Sequence, residues 1–200
     1  MAITIDLGPK EGAAAMRLTW PPLSDDELLA LCRRNRELRI ERTAGGEILF
    51  MAPAGGETGN RNLKLGRQLD VWAEQDGTGL AFDSSTGFRL PDGAVRSPDA
   101  AWVQKSRWDS LTDEQREAFP PLCPDFVVEL LSPSDRLSDA LAKMDEYIEN
   151  GAALGWMIDR RNRQVYVYRP NQPVEVRNNP TEVSGDPVLP GFALDLRKIF

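Results

Sequence analysis

Two hundred residues with 41% hydrophobic and 28% charged side chains describe one soluble globular domain with enough chain for a real core. No apolar run approaches the ~20 residues of a membrane helix, and the first residues lack the basic and apolar segments of a secretory signal. With no histidine, two cysteines and a net charge of -7, the chain cannot use imidazole catalysis, a Ser-His-Asp triad or a cysteine-built zinc centre; it suits a reducing cytoplasm and carries no bulk basic footprint for nucleic acid.

Residues 1–19, with Gly8-Pro9 and an Ala13-Ala14-Ala15 run, read as a loosely ordered leader to a single domain over 20–200. Ser24-Asp25-Asp26-Glu27 is a capping box, so a short helix is expected to about residue 36, with Leu28, Leu31 and Cys32 on its apolar side. Segments 38–42 and 47–51 flank Gly45-Gly46 and read as a β-hairpin. Leu65, Leu69 and Trp72 then fall at i, i+4 and i+7, which predicts an amphipathic helix from Glu57 to about Gln75.

Short strands are expected at 80–83, 87–90 and 99–103, and a helical excursion at 108–119 before Pro120-Pro121. Phe126 to Leu131 is the strongest strand signal, nearly all apolar as a strand covered on both faces requires. Ser132-Pro133-Ser134-Asp135 carries helix-start chemistry, and Leu137, Leu141, Met144 and Ile148 keep one face apolar until Asn150-Gly151. A strand pair at 154–159 and 164–169 turns around Arg160-Arg161-Asn162, and short strands near 174–176 and 188–194 close the chain. The expected fold is α/β: a mixed β-sheet flanked by α-helices, with an N-terminal helix and β-hairpin.

Two carboxylates break the apolar pattern. Glu129 sits inside the Phe126–Leu131 run, and Asp99 opens Ala100-Ala101-Trp102-Val103 after Ser97-Pro98. A buried carboxylate needs a partner, because stripping its water is costly. If the strands are neighbours, the two acids converge at one end of the sheet, where an oxygen-only donor pair suits Mg²⁺ (or Mn²⁺). The alternative is that each acid is held by backbone amides or an arginine.

The ordered series Ser97-Pro98-Asp99, Pro124-Asp125-Phe126-Val127-Val128-Glu129-Leu130-Leu131-Ser132-Pro133-Ser134, then Lys143, Tyr147, Gly151, Trp156 and Asp159, resembles the Uma2 family (DUF820) within the PD-(D/E)XK nuclease superfamily. The resemblance spans roughly residues 18–200. It implies a restriction-endonuclease-like core and a metal-dependent endonuclease acting on nucleic acid, most often DNA. Asp99 and Glu129 would be catalytic metal ligands. The superfamily's usual lysine two residues after the second acid is Leu131 here, and the resemblance assigns that role to Lys143 on the following helix. Glu57 resembles the acid many relatives supply from their first helix, although the histidine often found near it is missing. A homodimer fits the symmetry of cutting two strands.

On helix geometry alone, Lys143 stands beyond the Ala140/Tyr147 flank of the apolar stripe, where a solvated lysine would also sit. Asp125 shares a strand face with Val127 and Glu129 and reads chiefly as turn chemistry at the strand entrance. Tyr147 and Trp156 read as core packing, Arg160, Arg161 and Arg163 as a solvated hairpin tip able to touch phosphates. Two rival functions are an inactive nuclease-fold binding module and a carboxylate-metal hydrolase of a small phosphorylated molecule.

Overall fold

The computed structural model describes residues 15–18, 23–51, 53–132 and 135–200. Strand β1 (Ala15–Leu18), helix α1 (Asp25–Arg34) and the hairpin β2 (Arg39–Arg42) and β3 (Ile48–Met51) lead into the long helix α2 (Gly56–Asp76). Next come β4 (Gly79–Asp83), the short β5 (Phe88–Arg89) and β6 (Val95–Arg96), and β7 (Ala100–Gln104). Two short helices, α3 (Lys105–Asp109) and α4 (Asp113–Glu117), precede β8 (Phe126–Leu131), helix α5 (Leu137–Glu149) and the pair β9 (Leu154–Asp159) and β10 (Gln164–Tyr168). The tail holds β11 (Glu175–Asn178), β12 (Glu182–Ser184), β13 (Ala193–Asp195) and a 3-10 turn at Leu196–Lys198.

The central sheet is mixed and six-stranded, in the order β11-β10-β9-β8-β7-β4. Among the described residues only β8 and β9 run parallel in it, joined by the α5 crossover; the other pairs are antiparallel. A second sheet, β1-β3-β2-β6-β5, holds the hairpin, and β12 with β13 makes a third. Alternation along β8 sends Phe126, Val128 and Leu130 into one core with Leu65, Leu69 and Ala73 of α2 and the C-terminal tail. Val127 enters the opposite core with Met144 and Tyr147 of α5, and Leu131 packs against it. Glu129 shares that second face. Helix α1 covers the hairpin sheet through Leu28, Ile40, Ile48 and Val95.

The α/β class, the mixed sheet between helices, the N-terminal helix and the hairpin agree with the sequence reading. The Ser24–Glu27 box is formed in both directions. Strands β6 and β12 were not expected, the strand read at 188–194 is β13 at 193–195, and three further details differ. Within the stretch read as a leader, residues 15–18 pair with β3 as an edge strand, while 1–14 and 19 lie outside the described residues. The excursion at 108–119 is two helices, because Thr112 opens a second capping box with Gln115. Helix α5 starts at Leu137 rather than at Ser132: the Asp135 carboxylate accepts the Ser132 amide at 2.7 Å and closes a turn before the helix. Pro133 and Ser134 lie outside the described residues.

Gly79 begins β4 against the Trp102 ring and the Val103 carbonyl, and a methyl group there would overlap both. Gly79→Ala is therefore expected to cost about 1–3 kcal/mol through overpacking, several degrees of melting temperature for a chain this size. Gly59→Ala in α2, where the added carbon meets nothing within 4 Å, should be neutral or slightly stabilising in the same thermal melt.

Candidate active site

Strand β7 pairs with β8 so that Ala100 faces Val128, and continuing that register sets Asp99 opposite Glu129. Helix α5 lies over this face, with Met144 and Tyr147 as its buried anchors. The apolar stripe is thus rotated from the one expected: Tyr147 is at its centre, and Lys143, one turn earlier, is directed at the sheet instead of solvent. The Lys143 ammonium lies 2.8 Å from Oε1 of Glu129 and 2.9 Å from Oε1 of Glu41 on β2. The Tyr147 hydroxyl donates to the same Glu129 oxygen at 3.1 Å.

Glu41 and its neighbours bring the hairpin sheet into the site. Ile40 turns into the core under α1, so Arg39 and Glu41 share the opposite face. Arg39 donates to Oδ1 of Asp99 at 3.0 Å, and Asn62 of α2 donates to the same oxygen at 3.1 Å. Oδ2 of Asp99 accepts the Leu130 amide at 2.8 Å, which ties the loop before β7 to β8 beside Glu129. Arg96 reaches Glu41 at 3.2 Å and clasps Glu146 with Nε and Nη2, while the Ser97 amide donates to Glu41 at 3.1 Å.

The three acids at the centre are nearly inaccessible, at 1% for Glu41 and 8% each for Asp99 and Glu129. Their electrostatics diverge. Burial alone would push the Glu41 carboxyl up, but Lys143, Arg39 and Arg96 together outweigh it and hold the group down to about 2. Glu129 goes the other way: burial outweighs the pull of Lys143, the anions Asp99 and Glu41 add to the rise, and the carboxyl is pushed up to about 7. Burial opposes the charge on Lys143, yet its two glutamates raise it above the ordinary lysine value, so the ammonium persists. Burial, then Glu129 and Glu41, lift the Tyr147 phenol well above its usual range, so it stays a donor.

Asp99, Glu129 and Lys143 are thus brought together, and Glu57 is not among them. Glu57 lies in the first turn of α2 with its side chain 84% exposed, ion-paired to Arg61. The α2 residue that touches the cluster is Asn62. Asp125 caps the far end of β8, accepting Gln104 N at 2.8 Å and Arg107 at 2.7 Å, as turn chemistry requires. Trp156 is core, edge-on to Phe126. Both cysteines are free, and burial raises the Cys123 thiol to about 12. Sequence reading missed Arg39, Glu41, Asn62 and Arg96. The one local signal was the charged-apolar alternation Arg39-Ile40-Glu41, which a solvated hairpin explains equally well.

A hard divalent ion fits the donor chemistry at Asp99 and Glu129, since every candidate ligand atom is a carboxylate oxygen. Oε2 of Glu129 takes no hydrogen bond from a described residue, while burial, the largest cause of the raised carboxyl, disfavours its charge. Among the described residues no group of three or more Asp, Glu, Cys or His is placed to hold a metal, so such an ion would rest on two carboxylates and keep several waters.

The family described as "Uma2: Putative restriction endonuclease" matches residues 25–197. Five chains of solved structures match. One of them, described as "a putative nuclease belonging to DUF820" from Anabaena variabilis, is 22% identical, covers 90% of this chain and 98% of its own, and superposes with a TM-score of 0.74. That likeness speaks for the fold. No curated protein matches.

Proposed function

Since the chain belongs to the Uma2 family, we propose that it is a divalent-metal-dependent endonuclease that hydrolyses phosphodiester bonds of nucleic acid, with DNA as the favoured substrate. The carrying observation is the buried convergence of Asp99 and Glu129 across β7 and β8, with the Lys143 ammonium 2.8 Å from Glu129. Asp99 and Glu129 would hold Mg²⁺ or Mn²⁺. Such an ion, when bound, acidifies a water and clamps phosphate oxygens.

The chain's own groups supply the rest. Lys143 spends two donors on Glu129 and Glu41 and keeps a third for a phosphate oxygen, where its charge offsets the negative charge that grows as phosphorus is attacked. Glu41, ionised across the physiological range, fixes that ammonium together with Glu129. Tyr147 orients Glu129 by donating to Oε1, which leaves Oε2 for the ion. Arg39, 29% exposed, holds Asp99 and would have to give up that contact for an ion to reach the Oδ1 oxygen. Two copies about a two-fold axis would cut both strands of a duplex, and free thiols suit a cytoplasmic protein. Among the described residues no helix is long and apolar enough to cross a membrane.

The Arg39–Asp99 pair supports a second reading, an inert ion-pair network in a binding module. One experiment separates them. Purified protein is incubated with DNA and RNA in Mg²⁺, Mn²⁺ or EDTA, and its melting temperature is recorded in each. The nuclease reading expects cleavage only with the ion and, at about 100 times the dissociation constant, a stabilisation of roughly 2.7 kcal/mol, or 5–10 °C. Intact polymers and an unmoved melting temperature would overturn it.

A further inference from the structure

Beyond the carboxylates, at the carboxyl ends of the parallel strands β8 and β9, a cavity of about 430 Å³ is lined by Arg61, Arg160, Arg161, Asn162, Asp159 and Phe200, among others. Its volume admits a phosphate with its sugar. It adjoins the candidate site by two routes. Glu129 pairs with Met157 and Leu131 with Asp159, so the cavity wall begins two residues, about 7 Å, further along the strand. On α2, Arg61 in the cavity directly precedes Asn62 on Asp99.

The lining is set for an anion. Asp159 is consumed by the turn, accepting the Asn162 amide at 3.1 Å and its side-chain nitrogen at 2.7 Å. Asp135 accepts the Ser132 amide. Arg160 and Arg161 have no carboxylate within ion-pair distance among the described residues, and Nε of Arg160 is buried with no hydrogen-bond partner. A guanidinium donor shut away from water without an acceptor is costly, and the neighbouring Arg61 charge raises that cost. Arg61 has one exposed partner, Glu57. Arginine offers the planar fork that matches phosphate oxygens.

We infer that this cavity binds a phosphate of the nucleic-acid strand next to the one being cut, with Arg160 as the principal donor and Arg161 and Arg61 beside it. This rests on the nuclease reading for the identity of the strand. It also gives the exposed Glu57 a place, as the carboxylate that holds Arg61 at the cavity rim.

The test reads binding, so that it does not depend on catalysis. Labelled duplex DNA and single-stranded DNA and RNA are titrated with wild type, Arg160→Ala, Arg161→Ala and Arg160→Lys in EDTA across a range of salt, with thermal melts to verify folding. Removal of one phosphate contact should weaken binding uniformly across sequences and shrink the slope of log affinity against log salt by about one. Arg160→Lys should retain the slope while losing part of the affinity. An unchanged slope and affinity in both alanine variants, or no binding by wild type to any of the three polymers, would overturn the subsite. If wild type binds and Arg160→Ala shrinks the slope by about one but no ion elicits cleavage, the subsite stands and the nuclease reading falls. If wild type cleaves and slope and affinity are unaltered in both Arg160→Ala and Arg161→Ala, the nuclease reading stands and the subsite falls.

Discussion

Glu129→Gln is expected to reduce ion-dependent cleavage more than 100-fold while leaving the protein folded. The expected loss follows from the position of Glu129: residues that merely orient a metal ligand cost about 10–100-fold when altered, so a ligand should cost more. Glutamine keeps the shape and can still accept from Tyr147 and Lys143, but it cannot be the second anion. Retention of the fold follows from the sign of the carboxyl's shift. Its folded-state value of about 7 lies above the ordinary 4.5, so between those values the folded protein binds the extra proton and stability falls as pH rises. In EDTA, wild type should therefore melt progressively lower than Glu129→Gln between pH 5 and pH 8. Variant activity within a few-fold of wild type would remove Glu129 from the chemistry. A pH dependence of melting identical in the two proteins would mean its carboxyl is not perturbed as the geometry requires.

The largest stability effect is expected at a residue with no metal role. Glu41→Ala should lower stability by about 3–5 kcal/mol, because it deletes the anion on which Lys143 and Arg96 converge and removes the acceptor of the buried Ser97 amide. For a chain this long that is roughly 10 °C of melting temperature. Glu129 and Glu146 still face the two cations, so the fold should survive at low temperature. The effect also has a pH signature. Glu41 is held down to about 2 against an ordinary 4.5, so its contribution is complete above pH 4.5 and fades as pH falls towards 2. A calorimetric series should show wild type and variant converging in acid. A difference under 2 °C at pH 7 would show that the pairs are offset by their own desolvation.

How much of this was legible beforehand depended on where the determinants lie. Strand β8 was found because burial on both faces writes itself as an apolar run, and the acid interrupting that run identified Glu129. Asp99 was visible for the same reason at the start of β7. Helix α1 was announced by its capping box. In the tail the strand expected near 174–176 is β11, but β12 was not expected and the strand read at 188–194 is β13 at 193–195, since three-residue strands carry too little periodicity to fix their ends. Lys143 could be singled out only through a family likeness, because helix periodicity put it on a flank and the rotation of α5 was decided by Tyr147 filling the core. Glu41, Arg39 and Arg96 were beyond reach for a different reason. Their partners lie 102, 60 and 50 residues away, and pairing across such distances leaves no local trace.

Those separations bear on when the protein acquires any chemical competence during its synthesis. A nascent chain that has emerged through β8 already carries both acids, yet the ammonium that neutralises Glu41 and Glu129 arrives only with α5, and the arginines beyond β9 come later still. Up to that point Asp99 has Arg39 and Asn62, and Glu41 has Arg96, whereas Glu129 waits for Lys143 and Tyr147 of α5.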